Sequence, residues 1–391
     1  MNSSNWKSLR LADIAKIEKS AVQPNEILKG TTFVGLENIY ESGIVDTSRT
    51  VSRGELLSTK FQFTSKHILY GKLRPYLKKI ARPACEGVCS TDILPILPKE
   101  IVDRDFLYYF LRQPQLIKLA TERSIGANLP RLSPATLAEF EISLPPLPIQ
   151  KQIAAILEKA DAARDKRRQA NQLTEQFLQS AFLEMFGDPG INTKQLPAKR
   201  LADLVRKDDK INYGVVQPGD DYPGGVPIVR IGDFQGMRVD KTNLKRIDPK
   251  IEEAYKRSRL VGDEVLLACV GSIGMVALAD PSLKGFNTVR AVARIRCGED
   301  LDKLFLAFYL STSFSQSFFR RETRTVSQPT LNIRQIEETQ ILLPPMKEQQ
   351  KFAALVEKVE GLRGKQRESE KELENLFGSL MQSAFRGELV G

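Results

Sequence analysis

Leu144-Pro145-Pro146-Leu147-Pro148-Ile149-Gln150 comes back as Leu343-Pro344-Pro345-Met346-Lys347-Glu348-Gln349, at a constant offset of 199 residues. Beyond this point the copies stay aligned. Ala154-Ala155 meets Ala353-Ala354, Glu158-Lys159 meets Glu357-Lys358, Arg164 meets Arg363, and Lys166 and Arg168 meet Lys365 and Arg367. The same offset reaches backwards, matching Phe106-Leu107 to Phe305-Leu306, Leu111 to Leu310, and Pro130-x-Leu132 to Pro329-x-Leu331. A repeat of half the chain implies two similar modules, and so a task performed twice.

In each copy the prolines close a mixed segment and a helical period begins. It runs to Gly187-Asp188-Pro189-Gly190 in the first copy and to Gly387 in the second. A 4,3 spacing picks out Ile149, Ile153, Ile156, Ala160, Ala163, Arg167, Ala170, Thr174 and Phe177 as a seam. In the second helix it picks out Phe352, Leu355, Val359, Leu362, Gln366, Ser369, Leu373, Leu376 and Leu380. At about 1.5 Å per residue these helices would be roughly 55–60 Å long. The second carries a four-residue stutter before Gln382-Ser383-Ala384-Phe385, the echo of Gln179-Ser180-Ala181-Phe182. Two helices that repeat one another within one chain are expected to pack as an antiparallel coiled coil, relating the modules by a pseudo-twofold. Separate dimerisation coils are the alternative.

Ahead of the helices, β-like runs such as Thr32–Leu36, Val226–Ile231 and Glu264–Val270 mix with helical runs at Asp103–Ala120 and Asp302–Arg321. The expected class is α+β, two mixed α/β domains (1–144 and 188–343) separated by two long helices (145–187 and 344–391).

Charge divides along the same lines. Basic residues outnumber acidic by 20 to 15 in 1–141 and by 24 to 19 in 192–340, but are level at 6 to 6 in 142–191 and 8 to 8 in 341–391. The excess, five in each globular module and none in the helices, suits attraction to a polyanion at two places. With 41% hydrophobic and 27% charged residues the chain is ordinary for a folded protein. No apolar run approaches the roughly 18–20 residues of a membrane span, and Met1–Lys7 lacks the apolar core of a signal peptide, so an intracellular, cytoplasmic protein is expected. Four cysteines are too few for a disulfide framework, and this agrees with a reducing compartment.

Reaction chemistry is poorly supplied. His67 is the lone histidine, and Cys85-x3-Cys89 has no second Cys or His pair to complete a zinc site, so buried or half-buried thiols are the better reading. There is no phosphate loop and no Gly-x-Gly-x-x-Gly turn. Both Pro-Pro pairs follow Leu and precede a helix, unlike the Asn/Asp-Pro-Pro-aromatic tetrapeptide of a DNA amino-methyltransferase. The Asp-x-Lys matches at Asp208 and Asp248 lie in charged, turn-rich sequence, and nuclease chemistry is unsupported.

Residues suited to reading DNA lie in the modules. Gly71-Lys72-Leu73-Arg74-Pro75-Tyr76-Leu77-Lys78-Lys79 puts cations and an aromatic between two apparent strands, and Lys72, Arg74, Tyr76 and Lys78 are candidates. Gly126-Ala127-Asn128-Leu129-Pro130-Arg131 adds Asn128 and Arg131. Its counterpart, Thr325 to Asn332, adds Gln328 and Asn332, whose amides can pair bidentately with adenine. The second module offers Arg320, Arg321 and Arg324 just before that loop, Arg290 after Asn287-Thr288-Val289, and Ser272 in the tight turn Gly271-Ser272-Ile273-Gly274.

Taken in order, these features resemble the specificity subunit of type I restriction-modification systems over nearly the whole length. The carrying phrases are Ile68-Leu69-Tyr70-Gly71-Lys72-Leu73-Arg74-Pro75-Tyr76-Leu77, Val229-Arg230-Ile231-Gly232-Asp233-Phe234, and the two Leu-Pro-Pro helix entries. Lys347-Glu348-Gln349-Gln350 matches the usual Glu-Gln after the prolines, whereas the first copy departs with Ile149 in place of Glu. The resemblance implies a non-catalytic subunit with two target-recognition domains, each reading half of a split double-stranded DNA site. It implies helices that fix the spacer and dock two modification (methyltransferase) subunits. No cofactor belongs to this chain; S-adenosylmethionine would sit in those partners, and ATP and Mg in restriction/translocase subunits. A structural adaptor with two protein-binding modules on a coiled coil is the alternative, but it gives no reason for equal basic excess on both modules.

Overall fold

A computed structural model describes residues 6–323 and 329–389. The chain divides into two compact units, one formed by 1–168 with 368–391 and the other by 169–367. Each unit therefore holds one mixed module and a segment of both long helices, Leu147–Phe186 and Met346–Arg386.

The first unit opens with Lys7–Arg10, an antiparallel partner of Glu141–Leu144, whose alternating exposure sends Ile142 and Leu144 inward. A four-stranded antiparallel sheet follows in the order Ala15–Ile17, Ile93–Pro98, Ile68–Gly71, Ile80–Ala81. A second sheet orders Ala21–Val22, Lys60–Phe63, Gly87–Cys89 and Phe33–Val34, the last pair parallel. The helical run Asp103–Ala120 is two helices, not one. Asp103 caps Arg104–Leu111 by accepting from the Asp105 and Phe106 amides, and Pro114 opens Pro114–Glu122 at its first turn.

The second unit repeats this plan. Ala198–Arg200 pairs with Gln340–Leu342, and Asn212–Tyr213, Val292–Ile295, Val265–Ala268 and Val276–Leu278 form the four-stranded antiparallel sheet. A three-stranded sheet joins Lys245–Ile247, Val226–Val229 and, in parallel, Asn287–Thr288. Asp302 caps Lys303–Ser311, and Thr312 caps Ser313–Glu322. One correspondence escapes the 199-residue offset. Arg10-Leu11-Ala12-Asp13-Ile14 and Arg200-Leu201-Ala202-Asp203-Leu204 turn the same corner from strand to short helix, each with an Arg–Asp pair and two buried aliphatics.

The helix entries explain why the prolines and glutamine recur. Buried Gln150 accepts from the Asp103 amide through Oε1 (2.7 Å) and donates through Nε2 to the carbonyls of Ile101 and Pro145. Buried Gln349 accepts from the Asp302 amide (2.9 Å) and donates to Asp300 and Pro344. One buried side chain thus satisfies three backbone groups where strand, loop and helix meet, of which the proline carbonyl is the most deeply buried.

In the first unit Ile153, Ala154 and Leu157 share a core with Met381 and Ala384, while Arg164 and Arg168 both reach Glu374. In the second, Leu178, Phe182 and Phe186 share a core with Phe352, Val356 and Val359, and Gln366 donates to Thr174. Within each unit the two helical segments therefore run in opposite directions. The seam read from the sequence needs correction: Phe177, Leu362 and Leu376 are more than half exposed, while Leu157, Leu178 and Val356 are buried. A strict 3.5 repeat drifts by about 20° per heptad on a straight helix, and each segment also packs on its own module, so the buried face is set by two neighbours.

Among the described residues no helix is long and apolar enough to cross a membrane.

Candidate nucleic-acid interface

In the first unit the strand Ile68–Gly71 leads into a turn that returns through Ile80–Ala81, and the loop after Pro114–Glu122 lies against it. Leu73 bridges to Arg131, the Leu132 amide donates to the Lys72 carbonyl (2.9 Å), and the Arg74 amide donates to the Pro130 carbonyl (2.8 Å). Arg74 Nη2 reaches the carbonyl of Asn128 at 3.2 Å. The structure thus brings together all six residues expected in this module: Lys72, Arg74, Tyr76, Lys78, Asn128 and Arg131. Tyr76, Asn128 and Arg131 are exposed.

The cations of this cluster differ in how far they are neutralised. Arg131 pairs with Asp92 at 3.1 Å, and Lys72 lies 3.9 Å from the same carboxylate. Lys78 pairs with Glu41 at 2.8 Å, and this hydrogen bond holds the Glu41 carboxyl below its ordinary pKa. Lys79 donates to the Ile39 carbonyl. Among the described residues no carboxylate stands within ion-pairing distance of Arg74, and its Nε is buried without a partner. Asp92 and Glu41 have no sequence signal, because each lies 20 residues or more from the cation it meets. Leu77, Ile125 and Leu129 also escaped notice. They are large apolar side chains left exposed on the same turn and loop.

The backbone of the turn is strained. Arg74 (φ 50°) and Lys78 (φ 53°) are left-handed, two of only four such non-glycine residues among those described. Each costs about 1–2 kcal/mol because Cβ crowds the following carbonyl oxygen.

The second unit places a turn one residue shorter at the same position, built from other residues. Val270 bridges to Thr330 as Leu73 does to Arg131, and the Leu331 amide donates to the Cys269 carbonyl as Leu132 does to Lys72. Cys269 therefore stands for Lys72, Val270 for Leu73 and Gly271 for Arg74, an offset of 197 that conceals the match from the main repeat. Gly271 (φ 71°) and Gly274 (φ 89°) take the two left-handed places, with Ser272 and Ile273 between them. Gln316 secures the turn by donating to the Gly274 carbonyl. Burial pushes the Cys269 thiol up to about 12, leaving it an inert core group; Cys89 is likewise buried and Cys85 half-buried.

Arg290 is exposed, and its charge partly offsets the burial that lifts the Tyr213 hydroxyl; that hydroxyl donates to the Leu331 carbonyl at 2.8 Å. The residue after Arg290, Ala291, accepts the Cys269 amide through its carbonyl at 2.7 Å, which sets Arg290 beside the start of the second turn. Arg320 and Arg321 stand in the last turn of Ser313–Glu322, Arg320 donating to Ser317 and Arg321 stacking on Phe318 and pairing with Glu322. Asn332 caps Ile333–Glu337 with the oxygen expected to meet a base, accepting from the Gln335 amide as Ser133 accepts from Thr136 in the first unit. Arg324 and Gln328 lie outside the described residues.

Comparison with known proteins agrees with this doubled construction. The model of the type I restriction modification DNA specificity domain matches residues 3–175 and again 199–375. The EcoBI type I restriction enzyme specificity subunit of Escherichia coli is 27% identical over 333 residues, covering 78% of this chain and 69% of the relative. The EcoKI specificity subunit of E. coli strain K12 is 24% identical over 75% of this chain and 67% of its own length. Among solved structures, the S subunit of a type I restriction-modification system from M. genitalium aligns over 97% of this chain and 96% of its own, with a TM-score of 0.61 at 13% identity. A chain from work on assembly and conformational transition of the type I R-M system aligns over the full length of both, with a TM-score of 0.58 at 21% identity. With both halves matched by one model, the chain belongs to the type I restriction-modification DNA specificity family.

Proposed function

We propose that this chain is the non-catalytic DNA-recognition subunit of a type I restriction-modification complex, each specificity domain reading one half of a bipartite duplex site. The observation that carries this reading is the turn-and-loop pair built twice at the same place in the domain, once with Lys72, Arg74 and Arg131 and once beside Arg290. Phosphate contacts from such cations would fix position, and exposed loop residues such as Asn128 would meet base edges. The adaptor reading is not favoured, since both halves of the chain match a DNA specificity domain.

In this proposal 1–144 and 188–343 are the recognition domains. The helices 145–187 and 344–391 form an antiparallel coiled coil that sets the number of unread base pairs between the half-sites. The opposed direction of the helical segments within each unit supports this. So do the exposed Leu173, Phe177 and Leu362 in one unit and Leu376 in the other, apolar surface suited to docking partner helices. Those partners would be two modification subunits that bind S-adenosylmethionine and methylate adenine, joined by restriction subunits using ATP and Mg, all in the cytoplasm.

Mapping methylated adenines by single-molecule sequencing, in the host and in a strain lacking this chain, tests the core of the proposal. A split motif that disappears with the chain is expected, and an unchanged methylome would refute recognition. Removing one heptad from both helices should shorten the spacer and leave the half-sites alone. Altered half-site bases would sink the ruler.

A further inference from the structure

Arg74 combines three properties that no other residue of its turn holds together, although Lys78 shares the first. It holds a left-handed backbone conformation that a glycine would adopt freely, its guanidinium is tethered only by the Asn128 carbonyl, and it has no carboxylate partner among the described residues. In the second unit Gly271 occupies the equivalent place against the loop, in a turn one residue shorter, so the connection can be made there without an arginine. Strain that persists where a relaxed alternative exists in the same molecule points to a use for the side chain. Lys72, Lys78 and Arg131 have protein carboxylates to meet, and Lys79 is spent on the Ile39 carbonyl; Arg74 has its charge to spare.

We propose that Arg74 is a backbone-phosphate clamp for the first half-site, kept at a cost in local strain, and that the second domain lacks this clamp and grips its half-site differently. The inference rests on the DNA-recognition reading above. A guanidinium suits the role because Nη1 and one hydrogen of Nη2 form a parallel pair of donors for a phosphate while the other Nη2 hydrogen stays on the Asn128 carbonyl. Contact with phosphate is indifferent to sequence, so the clamp contributes affinity and register without choosing bases.

The test is the salt dependence of binding by the full chain, alone and with co-expressed modification subunits, to a roughly 40-base-pair random-sequence duplex; one lost phosphate contact lowers the slope of log K against log salt by about 0.9. Arg74→Gly is expected to lower the slope by that amount and to leave the melting temperature unchanged or raise it by about 2–4 °C. An unchanged slope overturns the clamp, whatever the melting temperature does. If slope and melting temperature both fall, Arg74→Lys separates the cases: a retained slope upholds the clamp, and a lost one assigns Arg74 a structural role. Gly271→Arg supplies the converse, since the space beside Gly271 is open. The folded variant should gain about 0.9 in slope, and no gain counts against a clamp at this place in the turn. A wild-type chain without salt-dependent duplex binding removes the recognition reading itself, a result distinct from a wild type that binds and a variant that matches it.

Discussion

The two units share their skeleton and differ in its filling. Gln150 and Gln349 tie the same three backbone groups, Asp103 and Asp302 cap the same helix, and Asp161–Arg164 recurs as Glu360–Arg363. Around that skeleton the first unit adds charge to the apolar contact between its helical segments, with Arg164 and Arg168 on Glu374 and Arg164 stacked 4.1 Å over Phe377. The second joins them by aromatic rings: Phe352 meets Phe182, Phe186 and Phe308 at centroid distances of 5.4, 5.5 and 5.0 Å. What repeats is what must satisfy buried backbone groups, for which few side chains serve. What varies fills volume or faces solvent, where many do.

The largest test of this contrast removes the aromatic centre. Phe352→Ala should cost about 3–5 kcal/mol, read as a fall in denaturant midpoint. Its repeat partner Ile153, equally buried, should cost about 2–5 kcal/mol on truncation to Ala. A smaller loss at Phe352 than at Ile153 would show that the ring cluster is loosely packed and the contrast between units overstated. Next comes the shared lock. Gln150→Ala and Gln349→Ala each strand one buried carbonyl, at Pro145 and Pro344, worth about 1–3 kcal/mol, along with two part-buried groups, so both should destabilise by similar amounts. Clearly unequal losses would break the equivalence of the helix entries.

The sequence made the helix entries legible because Leu-Pro-Pro and Gln must stand at fixed places for the lock to close, and it made the capped helices legible because Asp103 and Asp302 precede apolar runs. The turn was harder. Lys72 and Cys269 share a backbone position but no chemistry, and loop-length changes move their offset from 199 to 197. Lys72, Arg74, Tyr76 and Arg131 could be grouped as candidates by type. Which of them is neutralised could not be read, since Asp92 and Glu41 arrive from distant strands and turns. Asn332 shows another limit of the sequence: an amide suited to base pairing also matches a helix cap, and the cap could be recognised only once the Gln335 amide was seen to meet its oxygen.

A smaller effect should come from acid. Burial opposes the charge on Asp209, but hydrogen bonds from Arg294 and Arg296 outweigh it, and the carboxyl lies below its ordinary pKa. A depressed carboxylate contributes stability that is complete above its unfolded value of about 3.9 and is lost as pH falls through the folded value. The second unit should therefore weaken below about pH 4. Asp209→Asn should be less stable at neutral pH by about 1.5–3 kcal/mol, the range for hydrogen bonds to charged groups, with a flatter acid limb. An identical acid limb in wild type and variant would show that other carboxylates govern it.

The smallest effect is expected at Arg290, and it bears most directly on how the units divide their labour. Gly271 puts no side chain on the second turn, and a positive charge felt by the Tyr213 hydroxyl is carried by Arg290, an exposed arginine on a different segment. Arg290 has no ion-pair partner among the described residues, and its amide, which donates to the Val215 carbonyl, survives a side-chain truncation. Arg290→Ala should therefore change stability by no more than about 0.5 kcal/mol while lowering the salt slope of duplex binding by about 1. A changed sequence preference in the second half-site, with the slope intact, would instead make Arg290 a reader of bases. In that case the two domains would differ in what they recognise and not only in how they hold on.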